Sequence, residues 1–482
     1  MTVLDTLEHN VRLSLSYLGA EPGNWVIDRP EMDHNVLVIG GGQSGVAIAY
    51  ALRRSGVGKV SVVEAAAEGK GGLWERRARM NTLRTPKTLA GPELGNTALS
   101  FPAWFEAQHG VGSFAAIVRI DRRDWIDYLR WYHRIVGIAV RYDTRVTRIE
   151  PVGSHFRVHF DTPAGPQAET ARKVVIATGI AGLGAPSVPS EIAALPKKLW
   201  AHTADEIDFS ALRGKSVAVI GAAASAFDAA ATALEAGARD VHLFCRRDRI
   251  TSLAVGKARG YFGAQENFPG FPDALKWKLL DRLQKTGTPP PPDSIARATK
   301  HDNFHIHLSA PWNSVRESNG AILANAADGA HRFDFVVTGT GYLQDPRLRP
   351  ELNAFSGKIA LWQDRFSPPA GEQNSGLATF PYLGPSLEFQ EKTAGEAPYL
   401  RNLHAYTAAA QLTFGRPLGD VPTMKAGLTR ITNAIVQDLF FDDLNAHAAQ
   451  MNAPASPEFG PEIYAASVWS PEPAETQLER LA

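Results

Sequence analysis

Six residues near the start of the chain, Gly40-Gly41-Gly42-Gln43-Ser44-Gly45, narrow its fold more than any others. They follow an apolar, β-rich run, Val36 to Ile39, and precede Val46 to Arg53, whose composition and periodicity are helical. Strand, tight turn and helix in that order form the phosphate-binding corner of a βαβ unit. Gly40 permits the turn, Gly42 lets backbone N–H groups reach a pyrophosphate, and Gly45 packs helix on strand. Gln43 and Ser44 open the helix, where amides face an anion. The next strand, Val60 to Val63, ends in Glu64, placed to accept from a ribose 2′-OH.

A second corner recurs later in the chain. Ser216 to Ile220 reads as a strand, Gly221-Ala222-Ala223-Ala224-Ser225-Ala226 as the turn, and the chain to Gly237 as a helix before the strand Val241 to Cys245. Ala226 is an accepted substitute where helix meets strand, but the Cβ of Ala223 crowds the phosphate approach. The acid of the first unit is replaced by Arg246-Arg247. Guanidinium groups there suit the 2′-phosphate of NADPH, which a carboxylate would repel; the alternative is a solvated basic edge. Val174 to Gly179 and Phe335 to Gly341 read as paired strands, each ending in Thr-Gly, as in a chain that leaves one domain and returns.

The expected fold is therefore α/β, with two nested Rossmann-type dinucleotide-binding domains, the NADPH domain inserted in the other. The expected segments are a helical extension over 1–33, a first domain over 34–185 and 331–450, the insert over 190–330, and an irregular tail over 451–482. In the extension, Leu4, Leu7, Val11 and Leu15 are spaced for an amphipathic helix. Within the insert, a helix is expected around Phe271 to Lys285, followed by a stiff Pro289 to Pro292 loop. At 482 residues the chain has room for about three domains. Lys+Arg and Asp+Glu both number 50, so no global field recruits nucleic acid or an anionic membrane. No apolar run is long enough to span a bilayer, and the start lacks the basic and apolar regions of a secretory leader. One cysteine, Cys245, excludes an internal disulfide or a Cys-x-x-Cys pair and points to a reducing cytoplasm. The expected partner is a small-molecule substrate, with room for a homodimer.

After Glu64 come Gly71-Gly72-Leu73-Trp74 and Leu83-Arg84-Thr85-Pro86-Lys87, and the returning strand reads Asp334 to Tyr342 through Thr340-Gly341. With these in order over roughly residues 34–345, the chain resembles the class B flavoprotein monooxygenases: flavin-containing, Baeyer–Villiger and N-hydroxylating enzymes. The resemblance implies FAD on the first corner, NADPH on the second, and oxygen transfer from O2 through a C4a-(hydro)peroxyflavin to N, S or a ketone. It also implies cofactor contacts at Gly72, Leu73, Trp74, Thr85, Thr340 and Gly341. Where flavin-containing monooxygenases carry an Asn beside the flavin, this chain has Arg84, either an electrostatic partner of the oxygenated flavin or a structural ion-pair residue. Of the Baeyer–Villiger signature only His202 survives, as a catalytic candidate or an ordinary linker residue.

Gly419-Asp420, leading into Val421-Pro422-Thr423, has N-cap and N1-proline character; the helix start either points its dipole at the flavin or is a simple cap. His305 and His307 share one face of a strand near His301, but no Cys or paired carboxylates complete a metal site, so none is expected. Trp125, Trp131 and Trp277 read as core. A cysteine-free NADPH:acceptor flavin reductase on the same plan is the main competitor, though it gives no reason for Gly71-Gly72-Leu73-Trp74. The stretch Val255 to Trp312, which should shape the substrate pocket, carries no interpretable motif.

Overall fold

The computed structural model describes residues 2–471. Residues 1–437 and 438–482 are separate compact units. The first begins with the amphipathic helix Val3–Tyr17, capped by Thr2 and Asp5 in a reciprocal box, with Leu7 and Val11 buried. Its apolar face meets Phe101, Trp104 and Trp125, on the helices Phe101–His109 and Arg122–Val136.

Strands β1 (His34–Ile39), β2 (Val60–Val63), β3 (Val140–Arg141), β4 (Arg145–Val152), β5 (His155–Thr162) and β6 (Gly165–Gly179) lie in the order β3-β2-β1-β6-β5-β4. The length of β6 explains how parallel and antiparallel pairing coexist. Its first half pairs with β5 in antiparallel register, Phe156 opposite Ala171, and its second half runs parallel to β1, Leu37 opposite Val174. Beyond β7 (Gly184–Pro186), β8 (Trp200–His202) opens a second sheet with β9 (Ser216–Ile220), β10 (Asp240–Phe244) and β11 (Phe304–His307). An antiparallel sheet of β12 (Trp312–Ser318), β13 (Ala321–Ala326) and β14 (Gly329–Phe333) follows, then β15 (Phe335–Thr338), completing the parallel order β11-β10-β9-β15-β8. The chain returns through β16 (Tyr342–Gln344), antiparallel to β7, and β17 (Leu403–Thr407), which runs parallel to the second half of β6. Both sheets reverse strand order next to their first fingerprint strand, β1 beside β6 and β9 beside β15, which opens the binding crevice of such sheets.

The stretch Asp334 to Tyr342 is not one strand. β15 ends at Thr338, and Gly341, at φ +85°, turns the chain out of the sheet into the β16–β7 pair. The helix expected around Phe271 to Lys285 spans Asp273–Thr286, and the proline run leads directly into the helix Pro292–Thr299. In the second unit, Leu444–Met451 is helical and short 3-10 turns, Pro461–Ile463 and Ala465–Ser467, follow. Of the tail expected to be irregular, 472–482 lies outside the described residues.

Candidate active site

The first fingerprint is shaped by close backbone approach. Gly40 has φ +116°, and a Cβ there would stand 2.5 Å from the Ala177 carbonyl oxygen; a Cβ on Gly45 would stand 1.8 Å from the Gly40 carbonyl oxygen. Any side chain at either position breaks the corner. At Gly42 a Cβ would meet nothing within 4 Å. The helix Gln43–Arg54 begins there, its first bond running from Val46 N–H to the Gly42 carbonyl, so the amides of Gln43, Ser44 and Gly45 head the helix without intrahelical acceptors. Open space in front of a helix N-terminus is what a pyrophosphate requires.

Glu64 stands at the end of β2, half-buried. Its Oε2 accepts from Gly41 N–H at 2.9 Å and its Oε1 from Ala66 N–H at 3.0 Å. Each oxygen keeps a second lone pair for a ribose hydroxyl. A Cβ on Gly71 would come within 3.1 Å of this carboxyl group, so the Gly71-Gly72 segment is drawn over it. Gly72, at φ +78°, turns the chain toward Trp74, while Leu73 is exposed.

Gln43 explains the tryptophan of that segment. Its buried Oε1 accepts from Trp74 Nε1 at 3.0 Å and from Trp125 Nε1 at 3.2 Å, and its Nε2 donates to the Gly419 carbonyl at 2.8 Å. One amide thus ties three distant segments over the fingerprint, with Gly419 beside Ser44. Trp125 is core, as its helical spacing suggested, and a clamp as well. No sequence signal separated the two roles. Asp420 does not cap the amides that follow. Pro422 lies in the 3-10 turn Val421–Thr423 ahead of the helix Met424–Asp442, and Thr423 Oγ1 donates to Asp420 Oδ1 at 2.8 Å. Burial raises the Asp420 carboxyl above the usual carboxylate range, and the Thr423 hydroxyl offsets only part of that rise.

Between the 83–91 segment and Phe101, Trp125 and Val421 lies a cavity of about 410 Å³, lined also by Thr85, Lys87 and Glu93. Its size and mixture of aromatic faces with a few polar groups suit a flat heterocycle. Glu93 is buried, its Oε2 accepting from Gly91 N–H at 2.7 Å, and burial pushes its carboxyl up. A single glutamate between Pro92 and Leu94 gave no motif to find it by.

The second fingerprint repeats the first with one exchange. Gly221, at φ +118°, abuts the Gly339 carbonyl oxygen as Gly40 abuts that of Ala177. The third small residue is Ala226, whose Cβ would lie 2.8 Å from any Cβ on Gly339. Glycine in Gly339-Thr340-Gly341 therefore accommodates the alanine of the helix Ala224–Glu235. Ala223 stands at its N-cap and Ser225, half-buried, in its first turn. Thr340 and Gly341 are engaged by the strand connection, the Thr340 hydroxyl donating to the Ser187 carbonyl and Ser187 N–H to the Gly341 carbonyl.

The two arginines after β10 have different tasks. Arg247 donates to the carbonyls of Lys285 at 3.0 Å and Thr286 at 2.9 Å and to Thr251 Oγ1 at 3.0 Å. It seals the C-terminus of the helix Asp273–Thr286, where carbonyls and dipole both favour a cation. Arg246 is exposed and extends from the strand end with no hydrogen bond among the described residues.

Of the two roles open to Arg84, the structure displays the ion pair. Its guanidinium pairs with Asp228, a buried carboxylate two residues beyond Ala226, whose Oδ1 also accepts from Ser294 Oγ at 2.7 Å. His202 ends β8 fully buried. Its Nδ1 accepts from Ala204 N–H at 3.0 Å, so the ring proton is assigned to Nε2, and Tyr342 stands edge-on at 5.4 Å. Burial lowers its pKa, partly countered by Asp205. Arg84 and His202 do not meet in one constellation with the first fingerprint; both face elements of the second sheet. The one cysteine, Cys245, is buried at the end of β10, so no dithiol pair exists for a disulfide-reductase mechanism.

Residues 37–255 match the family described as pyridine nucleotide-disulphide oxidoreductase. The FAD-dependent urate hydroxylase of Xanthomonas campestris pv. campestris is 39% identical over 454 residues, 92% of this chain and 94% of that protein. This chain belongs to the class B flavoprotein monooxygenases. Among solved structures, the ornithine hydroxylase of Pseudomonas aeruginosa superposes with a TM-score of 0.66 at 16% identity, covering 84% of this chain and 99% of that one. The L-lysine 6-monooxygenase of Pseudomonas syringae gives 0.63 at 20% identity, with 84% and 99% covered. A bacillithiol disulfide reductase from Bacillus cereus shares the fold at 0.54 and 17% identity, covering 84% and 99%, so the fold alone does not separate oxygenase from reductase. The urate hydroxylase does, and this flavoprotein is a monooxygenase. Among the described residues no helix is long and apolar enough to cross a membrane.

Proposed function

We propose that this monooxygenase hydroxylates urate or a purine of similar shape, with FAD on the first sheet and NADPH on the second. The observation that carries the substrate is the 39% identity to a urate hydroxylase over nearly the full length of both chains. The cavity beside Thr85, Phe101 and Trp125 supports it, since a flat heterocycle can lie against aromatic faces and meet Lys87 and Glu93 at its edge.

The first corner fits FAD: space at Gly42, three helix-heading amides for pyrophosphate, and a Glu64 carboxylate with lone pairs to spare. Reduced FAD, when bound, supplies the reaction with O2 that delivers one oxygen atom to substrate. Gln43 and the Trp74 and Trp125 indoles close the Gly419–Asp420 loop over the dinucleotide and keep water from it. Asp420, raised by burial and hydrogen-bonded at Oδ1, can hold a proton at Oδ2. At the second corner Arg246 pairs with the NADPH 2′-phosphate, Gly221 to Ala226 approach its pyrophosphate, and His202 orients the nicotinamide end through Nε2. Arg84 fixes the position of the second helix through Asp228. We place the enzyme in the cytoplasm, as a monomer or homodimer.

Purified protein reconstituted with FAD is given NADPH, ¹⁸O₂ and urate. Urate consumption matched to NADPH oxidation, with one ¹⁸O in the product, is the expected result. NADPH oxidation unaffected by urate and other purines, with all O2 recovered as hydrogen peroxide, would remove the substrate assignment.

A further inference from the structure

Four histidines converge on the outer edge of the second sheet. His242 lies on β10, His305 and His307 on the edge strand β11, and His331 on β14, with Asp328 in the turn before it. Sequence spacing showed only the pair on β11; the fold supplies the carboxylate that seemed to be missing. His307 Nδ1 faces Asp328 Oδ2, and His331 Nε2 lies 3.0 Å from Asp328 Oδ1. One nitrogen from each ring and a carboxylate oxygen all fall within 4.8 Å of one another.

We propose that His307 Nδ1, His331 Nε2 and the Asp328 carboxylate bind one divalent transition-metal ion, Zn²⁺ by preference, with water completing a four-coordinate site. Two imidazoles and a carboxylate form a borderline donor set suited to zinc, which is bound at roughly 2.0–2.2 Å by such atoms. A tetrahedron with those bonds sets its donors roughly 3.3 Å apart. The present spacing therefore needs only small side-chain rotations. A carboxylate is an acceptor only, so what lies between it and each ring nitrogen must be positive: a proton on each ring, or one cation shared by all three.

The surroundings are those of a built site. His307 Nε2 meets His242 Nδ1 at 2.8 Å, and His242 Nε2 lies 3.6 Å from Asp240, so the ring that would bind metal through Nδ1 is oriented through its other nitrogen. Phe244 stacks on the His307 ring at 4.3 Å and 11°. Asp328 is partly exposed, which gives an ion a path in. The His307 carbonyl accepts from Cys245 N–H at 2.9 Å, so the ion would brace the strand ends from which Arg246 extends. His242 is a positioning residue in this scheme.

The full-length, FAD-loaded protein is stripped with a chelator and titrated with zinc sulfate alone against a chromophoric competitor, and in parallel with Co²⁺. One Zn²⁺ per chain, a tetrahedral Co²⁺ visible band and a raised melting temperature are expected. Asp328→Asn and His331→Asn should each weaken binding more than about 100-fold and abolish the Co²⁺ band. His242→Ala should weaken it about 10- to 100-fold while keeping one site per chain. Flavin content and circular dichroism report whether each variant is folded, and the exposed turn position of Asp328 makes its variant the more tolerant. The proposal fails if the wild type holds no ion against the competitor. It fails equally if both ligand variants bind as the wild type does, since the chain's 14 histidines would then hold zinc elsewhere.

Discussion

Adjacent arginines after a strand invite one explanation, yet here the two should fail in different ways when removed. Arg246→Ala deletes an exposed guanidinium that makes no hydrogen bond among the described residues. A charge-assisted contact to the 2′-phosphate is worth about 1.5–3 kcal/mol, so kcat/KM for NADPH should fall about 10- to 150-fold, mostly through KM. NADH lacks that phosphate, and its kcat/KM should change less than about twofold. Arg247→Ala removes donors to the Lys285 and Thr286 carbonyls and leaves the C-terminus of a helix unsealed. Two hydrogen bonds and a dipole contribution amount to about 1–3 kcal/mol of stability, visible as a lower melting temperature and equal, small losses with both coenzymes. Steady-state kinetics with NADPH and NADH, beside thermal melts of both variants, separate the cases. If Arg247→Ala discriminates between the coenzymes and Arg246→Ala does not, the division of roles is wrong.

Gln43→Leu should strand two indole N–H groups and the Gly419 carbonyl, costing about 2–5 kcal/mol and releasing flavin on gel filtration; retention of flavin with unchanged stability would sink the clamp. Arg84→Ala leaves the Asp228 carboxylate buried with only Ser294, and because the guanidinium is itself part-exposed the cost should be about 1–3 kcal/mol in urea unfolding. The double variant with Asp228→Asn should recover part of that loss, and no recovery would mean the pair is incidental. Glu169 accepts from both Arg141 nitrogens and from His34, which hold its pKa at about 2 against the usual 4.5. A folded-state value below the unfolded one stabilises above about pH 5 and is lost as pH falls toward 2. Glu169 is only partly buried, so solvent screening reduces what the shift contributes, and the stability gap between wild type and Glu169→Gln should be about 1–2 kcal/mol at pH 7 and close on acidification; a gap independent of pH would contradict the assignment.

What the sequence reveals here depends on how local the physics is. Gly40 and Gly221 were legible because each corner fixes its own backbone, and spacing within one βαβ unit carries that information. The place of Glu64 at the end of the adjoining strand was legible for the same reason. The partners Arg247 has within the chain, at the end of a helix some 40 residues later, were not legible because they are set by tertiary packing. Asp228, Glu93 and the second role of Trp125 were invisible on similar grounds: each acts across elements that only the fold brings together. The returning strand was read as continuous because Phe335 to Val337 are ideal strand residues, and the glycine at 339, just past the end of β15, answers to a helix residue, Ala226, more than 100 positions earlier.

That contact is open to test as a unit. In the first corner the helix carries Gly45, and Ala177 lies on β6 beside Gly40; in the second the helix carries Ala226, and Gly339 follows β15 beside Gly221. At the second crossing the methyl group of Ala226 occupies the space that a Cβ on Gly339 would need. Gly339→Ala alone would bring two Cβ atoms to 2.8 Å and press on the Ala226 backbone nitrogen at 3.3 Å, overpacking worth about 1–3 kcal/mol. The backbone at 339 is not left-handed, so conformational strain adds nothing to this. Ala226→Gly alone should cost about 1 kcal/mol from helix propensity and the lost methyl. The double variant removes that clash and should be more stable than Gly339→Ala, with a coupling energy above about 1 kcal/mol in urea unfolding. Ala223, which borders the phosphate approach, is unchanged, so the KM for NADPH should not rise in the double variant. Additive losses in the cycle would show that Gly339 is fixed by something other than the alanine it faces.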